Sequence, residues 1–205
     1  MKRWLVLGLL LLATISNAQI ELGKDYERLP HPVPIGHSKK VEVFEFFYYG
    51  CVHCFQLEPV LSKWEQAHAK EVSFKRVHVV WQKSMKNLAR LYETEKRVAS
   101  GDRLHMLIFD AILQKRIDLS QETVLKDWLK KIPGVDVPNF MQTYNSFGVE
   151  TDVARAAQLT KDYAVSGTPM IVIAGKYKVL PATPDRLVYV MTELLNKAKQ
   201  EQGIK

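Results

Sequence analysis

The sequence predicts an α/β fold, a mixed sheet of four or five strands with flanking helices, into which a large helical domain is inserted. Three observations predict it. An apolar run, Val41 to Tyr48, leads into Cys51-Val52-His53-Cys54 and then into helical periodicity. From Ser84 to about Phe147, helical segments follow one another with no convincing strand between them. After Val165-Ser166-Gly167-Thr168-Pro169 come two short strands and a last amphipathic helix.

The N-terminus reads as a signal peptide. Lys2 and Arg3 precede a leucine-rich run from Trp4 to Ile15, and Ser16-Asn17-Ala18 supplies the small residues a signal peptidase needs. The run is shorter than the roughly 20 residues that span a bilayer, so cleavage near Gln19 is expected and the mature chain is not expected to span a membrane. That route delivers the protein to a compartment where disulfides persist. The next stretch holds Pro30, Pro32 and Pro34 and excludes a helix, leaving Tyr26 to Leu29 as a short edge strand.

Val41 to Tyr48 is rich in β-branched and aromatic residues, the pattern of a strand buried on both faces. Phe55, Leu57, Val60, Leu61 and Trp64 recur at helical spacing to about Ala69, with Pro59 inside the helix and expected to kink it. Val72 to Trp81 is a further strand carrying Lys75 and Arg76. The helical block follows as Leu88–Val98, His105–Leu113, Val124–Ile132 and Asn139–Phe147, the last stopping at Gly148. Another helix runs from about Glu150 to Ala164. Met170 to Ala174 and Tyr177 to Leu180 then form a hairpin across Gly175-Lys176. Pro184 opens the last helix, whose inward face is Leu187, Val190, Met191, Leu194 and Leu195. The expected division is therefore 1–18 as signal, 19–83 and 148–205 as the sheet domain, and 84–147 as the insertion.

At 205 residues, 47% of them hydrophobic, the chain buries a core without help from disulfides. Two cysteines exclude a disulfide scaffold and any four-cysteine zinc module. The formal charge of +7 falls to about +5 when Lys2 and Arg3 leave, and the lysines are scattered along helices. They read as a solvated surface, and no nucleic-acid partner is expected.

The two cysteines carry the chemistry. Closing a four-residue loop stabilises a fold by roughly 2 kcal/mol, against about 4.7 for a hundred residues, so the spacing suits a structural crosslink poorly. It suits a resolving thiol poised to expel a partner from a mixed disulfide. Cys51 belongs at the helix N-terminus, where free N–H groups and the macrodipole favour a thiolate, and Cys54 lies about one turn in. Cys51 is thus the attacked sulfur and Cys54 the resolving one. Haem attachment would need His where Phe55 stands, and no further C-x-x-C or H-x-x-x-H completes a zinc site. Beside a βαβ pattern, C-x-x-C reads as a thioredoxin-like redox motif.

Phe44-Glu45-Phe46-Phe47-Tyr48-Tyr49-Gly50-Cys51-Val52-His53-Cys54, the helical insertion, and Val165-Ser166-Gly167-Thr168-Pro169-Met170 together resemble the DsbA family of periplasmic thiol oxidases. The resemblance covers essentially the whole mature chain in the order of its elements. It implies a thioredoxin fold and a redox-active Cys51–Cys54 disulfide with no cofactor and no metal. It implies periplasmic location, unfolded secreted proteins with cysteine thiols as clients, and a DsbB-like membrane quinone reductase as reoxidant; a monomer is expected. One departure stands out. The best-known form of the family has Pro where this chain has Val52, and that position helps set the redox potential.

The remaining candidates each carry two readings. His53 is either an exposed helix residue or, through its N–H or its charge, a stabiliser of the Cys51 thiolate. Pro169 is either an ordinary trans loop proline or the cis-proline that faces the motif in thioredoxin-like proteins, with the Thr168 backbone open to a substrate peptide. Glu45 shares a strand face with Phe47 and Tyr49. It is either an exposed strand-end acid or, as the resemblance implies, a buried acid of raised pKa beneath Cys54, partnered by Arg76 or Lys75. His31, His37, His68, His78 and His105 have no paired spacing and read as surface or half-buried residues. Val52, Tyr48, Tyr49 and Met170 are candidates for an apolar rim. A reductase or isomerase on the same fold is the alternative to an oxidase, and a non-catalytic binding module would need no adjacent thiols.

Overall fold

A computed structural model describes residues 19–34, 39–98 and 101–204; the signal-peptide expectation and His37 fall outside the described residues. Its strands are β1 (Tyr26–Arg28), β2 (Val41–Phe47), β3 (Val72–His78), β4 (Met170–Ile173) and β5 (Tyr177–Val179). They form one sheet in the order β1-β5-β4-β2-β3, with β2 and β3 parallel and the other pairs antiparallel. The helices are α1 (Val52–Ala67), α2 (Lys86–Glu95), α3 (Gly101–Leu113), α4 (Glu122–Leu129), α5 (Val137–Tyr144), α6 (Phe147–Asp162) and α7 (Pro184–Gln202). This is the thioredoxin fold with a helical insertion.

Alternation along β2 assigns its side chains to two cores. Val41 and Val43 face α1 and α7, where they meet Leu61, Val190 and Leu194. Phe44 and Phe46 point the other way, onto Ala156 of α6 and Tyr163 at its C-terminal cap. Glu45 and Phe47 share the first of these faces, because side chains two apart in a strand point the same way. Trp64 of α1 donates from Nε1 to Thr192 Oγ1 of α7 at 3.0 Å, tying the two helices together. The hairpin between β4 and β5 turns through Ala174 (φ 56°) and Gly175 (φ 67°), the left-handed pair of a type I′ turn.

The helical block has a core of its own. Leu91, Leu104, Ile108, Phe109, Leu125 and Phe140 cluster there, and Phe47, Tyr49 and Cys54 belong to the same cluster. The redox motif therefore forms one wall of the inserted core.

Several boundaries differ from the sequence reading. Gly148 does not end a helix. Asn145 closes α5, and Ser146 caps α6 by accepting the Val149 N–H at 3.3 Å, so Gly148 sits inside its first turn. The α1 helix runs through Pro59 to Ala67, and β3 stops at His78, before the expected Trp81.

The fold makes one direct prediction. Leu194 is fully buried between α7 and the sheet, so Leu194→Ala should lower the unfolding free energy by about 2–5 kcal/mol in a urea titration.

Candidate functional site

The first turn of α1 is built around a sulfur. Cys51 is its N-cap, with extended backbone (φ −93°, ψ 109°), and its Sγ accepts the Cys54 N–H at 3.2 Å. No acidic side chain occupies that turn, so no carboxylate competes for the exposed amides. As a thiol, Cys51 donates to the Thr168 carbonyl at 3.4 Å. Hydrogen bonding with the Cys54 thiol, with the Thr168 side chain and with the backbone N–H groups of Cys54 and His53 outweighs partial burial and brings the Cys51 thiol down to about 5. Cys54 is fully buried. The proton it shares with Cys51, together with that burial, pushes its own thiol far above the ordinary range. Two identical side chains three residues apart are thus driven in opposite directions.

The loop before Cys51 is fixed from below. His78 ends β3 fully buried, and burial brings its imidazole down to about 3, leaving it neutral at physiological pH. Its Nδ1 donates to the Val79 carbonyl at 3.0 Å, which frees Nε2 to accept the Tyr49 N–H at 3.4 Å. Gly50 is required by the next contact: a Cβ there would stand 2.4 Å from Tyr48 Cε1.

The structure brings Pro169 and Thr168 to the motif through the loop before β4. The Thr168–Pro169 peptide bond is cis, and the Thr168 carbonyl faces the Cys51 sulfur. A groove of about 410 Å³ opens beside them, lined by His53, Leu57, Thr168, Pro169, Leu180 and Pro184 among others. The His53 side chain is exposed at its lip, and the contact His53 makes with Cys51 comes from its backbone N–H.

Glu45 lies beneath α1, only 1% exposed. Arg76 faces it, with Nε 3.4 Å from Oε2, whereas Lys75 turns outward to Glu42. Arg76 spends its hydrogen bonds elsewhere. It donates to Glu58 at 3.1 and 2.7 Å, to Glu65 at 2.7 Å and to Ser62 at 3.2 Å. Neither Glu45 oxygen receives a hydrogen bond from the described residues. Burial first, then the charge of Glu58, pushes the Glu45 carboxyl up to about 8 against the pull of Arg76 and His105. Glu58 goes the other way. Burial would raise it, but His105 and Arg76 overcome that and hold it at about 2.

Some sequence expectations change here. Tyr49 is fully buried and Met170 is 6% exposed, so both are core, not rim; Val52 is 50% exposed and Tyr48 half-buried. His78 is no surface residue, because it fills the space under the redox loop. His105 is largely enclosed by Glu58, Glu95 and Tyr49. Glu58 and Glu95 were not singled out from sequence. Glu58 follows Cys54 by four residues, one turn along the same helix face, and that spacing is the signal that would have found it.

Comparison with known proteins finds relatives along most of the chain. Residues 42–192 match the family model described as DSBA-like thioredoxin domain. The thiol:disulfide interchange protein DsbA of Burkholderia cepacia is 38% identical over 172 residues, covering 83% of this chain and 81% of the relative. The corresponding protein of Azotobacter vinelandii is 33% identical, covering 86% and 87%. Among solved structures, the oxidoreductase NmDsbA1 from Neisseria meningitidis superposes with a TM-score of 0.84 at 36% identity, covering 91% of this chain and 97% of that one. Pseudomonas aeruginosa DsbA gives 0.80 at 29%, covering 87% and 94%.

The split between the two thiols has a pH signature. Iodoacetamide should label Cys51 with a rate profile half-maximal near pH 5 and leave Cys54 unlabelled in the folded protein. The depressed Cys51 stabilises the reduced form fully above about pH 9, and that contribution is lost as pH falls through 5. The melting temperature of the reduced form relative to the oxidised form should therefore rise between pH 5 and pH 9. A flat difference in calorimetry would contradict the assignment.

Proposed function

The chain belongs to the DsbA-like thioredoxin family and is a thiol:disulfide oxidoreductase, and from that premise we propose that it works as an oxidase, donating the Cys51–Cys54 disulfide to secreted proteins. The observation that carries this is the asymmetry of the pair. A Cys51 thiolate held by the α1 N-terminus favours the reduced form, and a protein that favours its reduced form is an oxidant.

In the proposed cycle a client thiolate attacks the Cys51 sulfur, and a client–Cys51 bond forms as the Cys51–Cys54 bond breaks. Cys54 leaves with the electron pair and takes up a proton, consistent with a thiol that retains its proton strongly. Glu45, buried and largely protonated at neutral pH, is the proposed source of that proton. A second client thiolate then attacks the client sulfur of the mixed disulfide. Cys51 departs as a thiolate, a good leaving group at its low proton affinity. The client gains a disulfide and the protein is left with two reduced cysteines.

The groove beside Thr168 and Pro169 suits an extended, apolar client segment laid past Cys51, with the Thr168 backbone as its pairing edge. His53 stands at the lip of the same groove, beside the path of the client. We assign the protein to the periplasm as a monomer, with the Cys51–Cys54 pair as its only redox group and a DsbB-like membrane quinone reductase as reoxidant. No helix among the described residues is long and apolar enough to cross a membrane. The division into a sheet domain (19–83 and 148–205) and an insertion (84–147) is proposed on the same footing.

Equilibration with glutathione tests the direction. The oxidase reading expects a potential well above the roughly −270 mV of thioredoxin, and a value at or below that would make the protein a reductant. In the same preparation, Cys54→Ser should accumulate a client mixed disulfide through Cys51, and Cys51→Ser should form none. Crosslinking through Cys54 in the Cys51→Ser protein would reverse the two roles.

A further inference from the structure

Below the redox loop lies a closed set of charges contributed by both parts of the fold. His105, from α3, stands 2.8 Å by Nδ1 from Glu95 Oε1 and 3.6 Å by Nε2 from Glu58 Oε2. The Tyr49 hydroxyl approaches the same Nδ1 at 2.9 Å, two residues before Cys51. The His105 side chain is 12% exposed, those of Glu58 and Glu95 6% and 4%, and that of Arg76 14%. The rings of Tyr92 and Phe109 close the other sides of the imidazole. His78, on β3, is neutral and brings no charge. Lys96, across the neighbouring groove, pairs with Glu93.

Counting these groups shows why Glu45 differs from Glu58. Burial alone would lower the His105 imidazole, but Glu58 and Glu95 overcome that and bring it up to about 9, so His105 and Arg76 bring two positive charges. Glu58 and Glu95 oppose them, Glu95 with a carboxyl that burial pushes up against the pull of His105. Glu65 takes one Arg76 nitrogen but is 35% exposed and screened by water. Glu45 is the third buried carboxyl, with no cation left to balance it and no hydrogen bond to hold its anion. A buried carboxyl in that position keeps its proton.

We propose that His105 is a positioning residue for thiol–disulfide exchange: its charge neutralises Glu58 and Glu95 and so sets how tightly Glu45 holds the proton that serves Cys54. This rests on the reading of Glu45 as the proton partner of Cys54. As a client thiolate opens the Cys51–Cys54 bond, one proton passes from the Glu45 carboxyl to the departing Cys54 sulfur. Glu45 then recovers a proton from water. The groove of about 500 Å³ lined by Glu58, Arg76, Glu95 and His105 is the opening through which solvent reaches the cluster.

The signs are opposite for the two partners, which makes the proposal testable. His105→Gln removes a positive charge, leaves the cluster negative, and should raise the titration midpoint of Glu45 by on the order of one pH unit. Glu95→Gln removes a negative charge and should lower it by a similar amount. The double variant restores the balance and should return it toward wild type. The readout is carboxyl NMR of the full-length protein labelled at glutamate, with Glu45 assigned through Glu45→Gln. In parallel, the pH profile of exchange between the oxidised protein and a cysteine-containing peptide should move with the midpoint.

Single variants that lose thermal stability but leave the Glu45 midpoint in place, or shift it in the same direction, overturn the proposal. If His105→Gln fails to fold, the downward shift in Glu95→Gln alone decides. Midpoints that move without the exchange profile following overturn the role in exchange, together with that of Glu45. A profile that follows, in a protein that equilibrates with glutathione as a reductant, supports the role of His105 and removes only the oxidase direction.

Discussion

The Cys54 N–H that reaches the Cys51 sulfur is the contact on which the rest of the site depends. A helix begins with amides that have lost their partners, and something must accept from them. Here the acceptor is a thiolate when the protein is reduced, and it ceases to be an anion when the disulfide forms. The helix end is therefore better satisfied in one redox state than in the other. The surrounding features keep that sulfur in place. His78 holds the Tyr49 amide, Gly50 makes room for the Tyr48 ring, and the loop before β4 sets the Thr168 carbonyl against Cys51.

The charges beneath the site are costly to bury, and apolar side chains of similar size would often make a more stable core. Their arrangement around Glu45 fits the proposed role in moving protons. Arg76 comes from the edge strand, Glu58 from the helix that carries both cysteines, and Glu95 and His105 from the inserted block. The insertion thus supplies two of the buried ionisable groups, and the two parts of the fold share an electrostatic centre as well as an apolar wall.

Much of this was legible in the sequence, for identifiable reasons. The cysteine spacing, the strand that precedes it and the inward face of α7 follow short periodicities, and those survive folding. Pro169 was legible through a motif, since Gly167-Thr168-Pro169 stands in a fixed order before a strand. The choice between Arg76 and Lys75 was not, because adjacent residues on a strand point to opposite faces and only the sheet register shows which face holds Glu45. His105 and Glu95 were missed because ion pairs between elements leave no periodic trace. Their partners lie 10 to 47 residues away along the chain, and α2 buries Glu93 and Glu95 where a helical pattern would place apolar residues. Gly148 misled because a glycine in a first turn looks the same in sequence as one after a last turn.

The contrast between an accessible, acidic thiol and a sheltered, proton-retaining one also bears on damage. A peroxide that reaches the reduced protein meets Cys51 first and converts its thiolate to a sulfenic acid. In a protein with a single reactive cysteine, that species is one step from irreversible over-oxidation. Here the Cys54 thiol lies within the same helical turn, shielded from the peroxide but not from Cys51. Condensation of the two expels water and closes the disulfide, so the first oxidative injury ends in a bond that the protein's own exchange chemistry can open again.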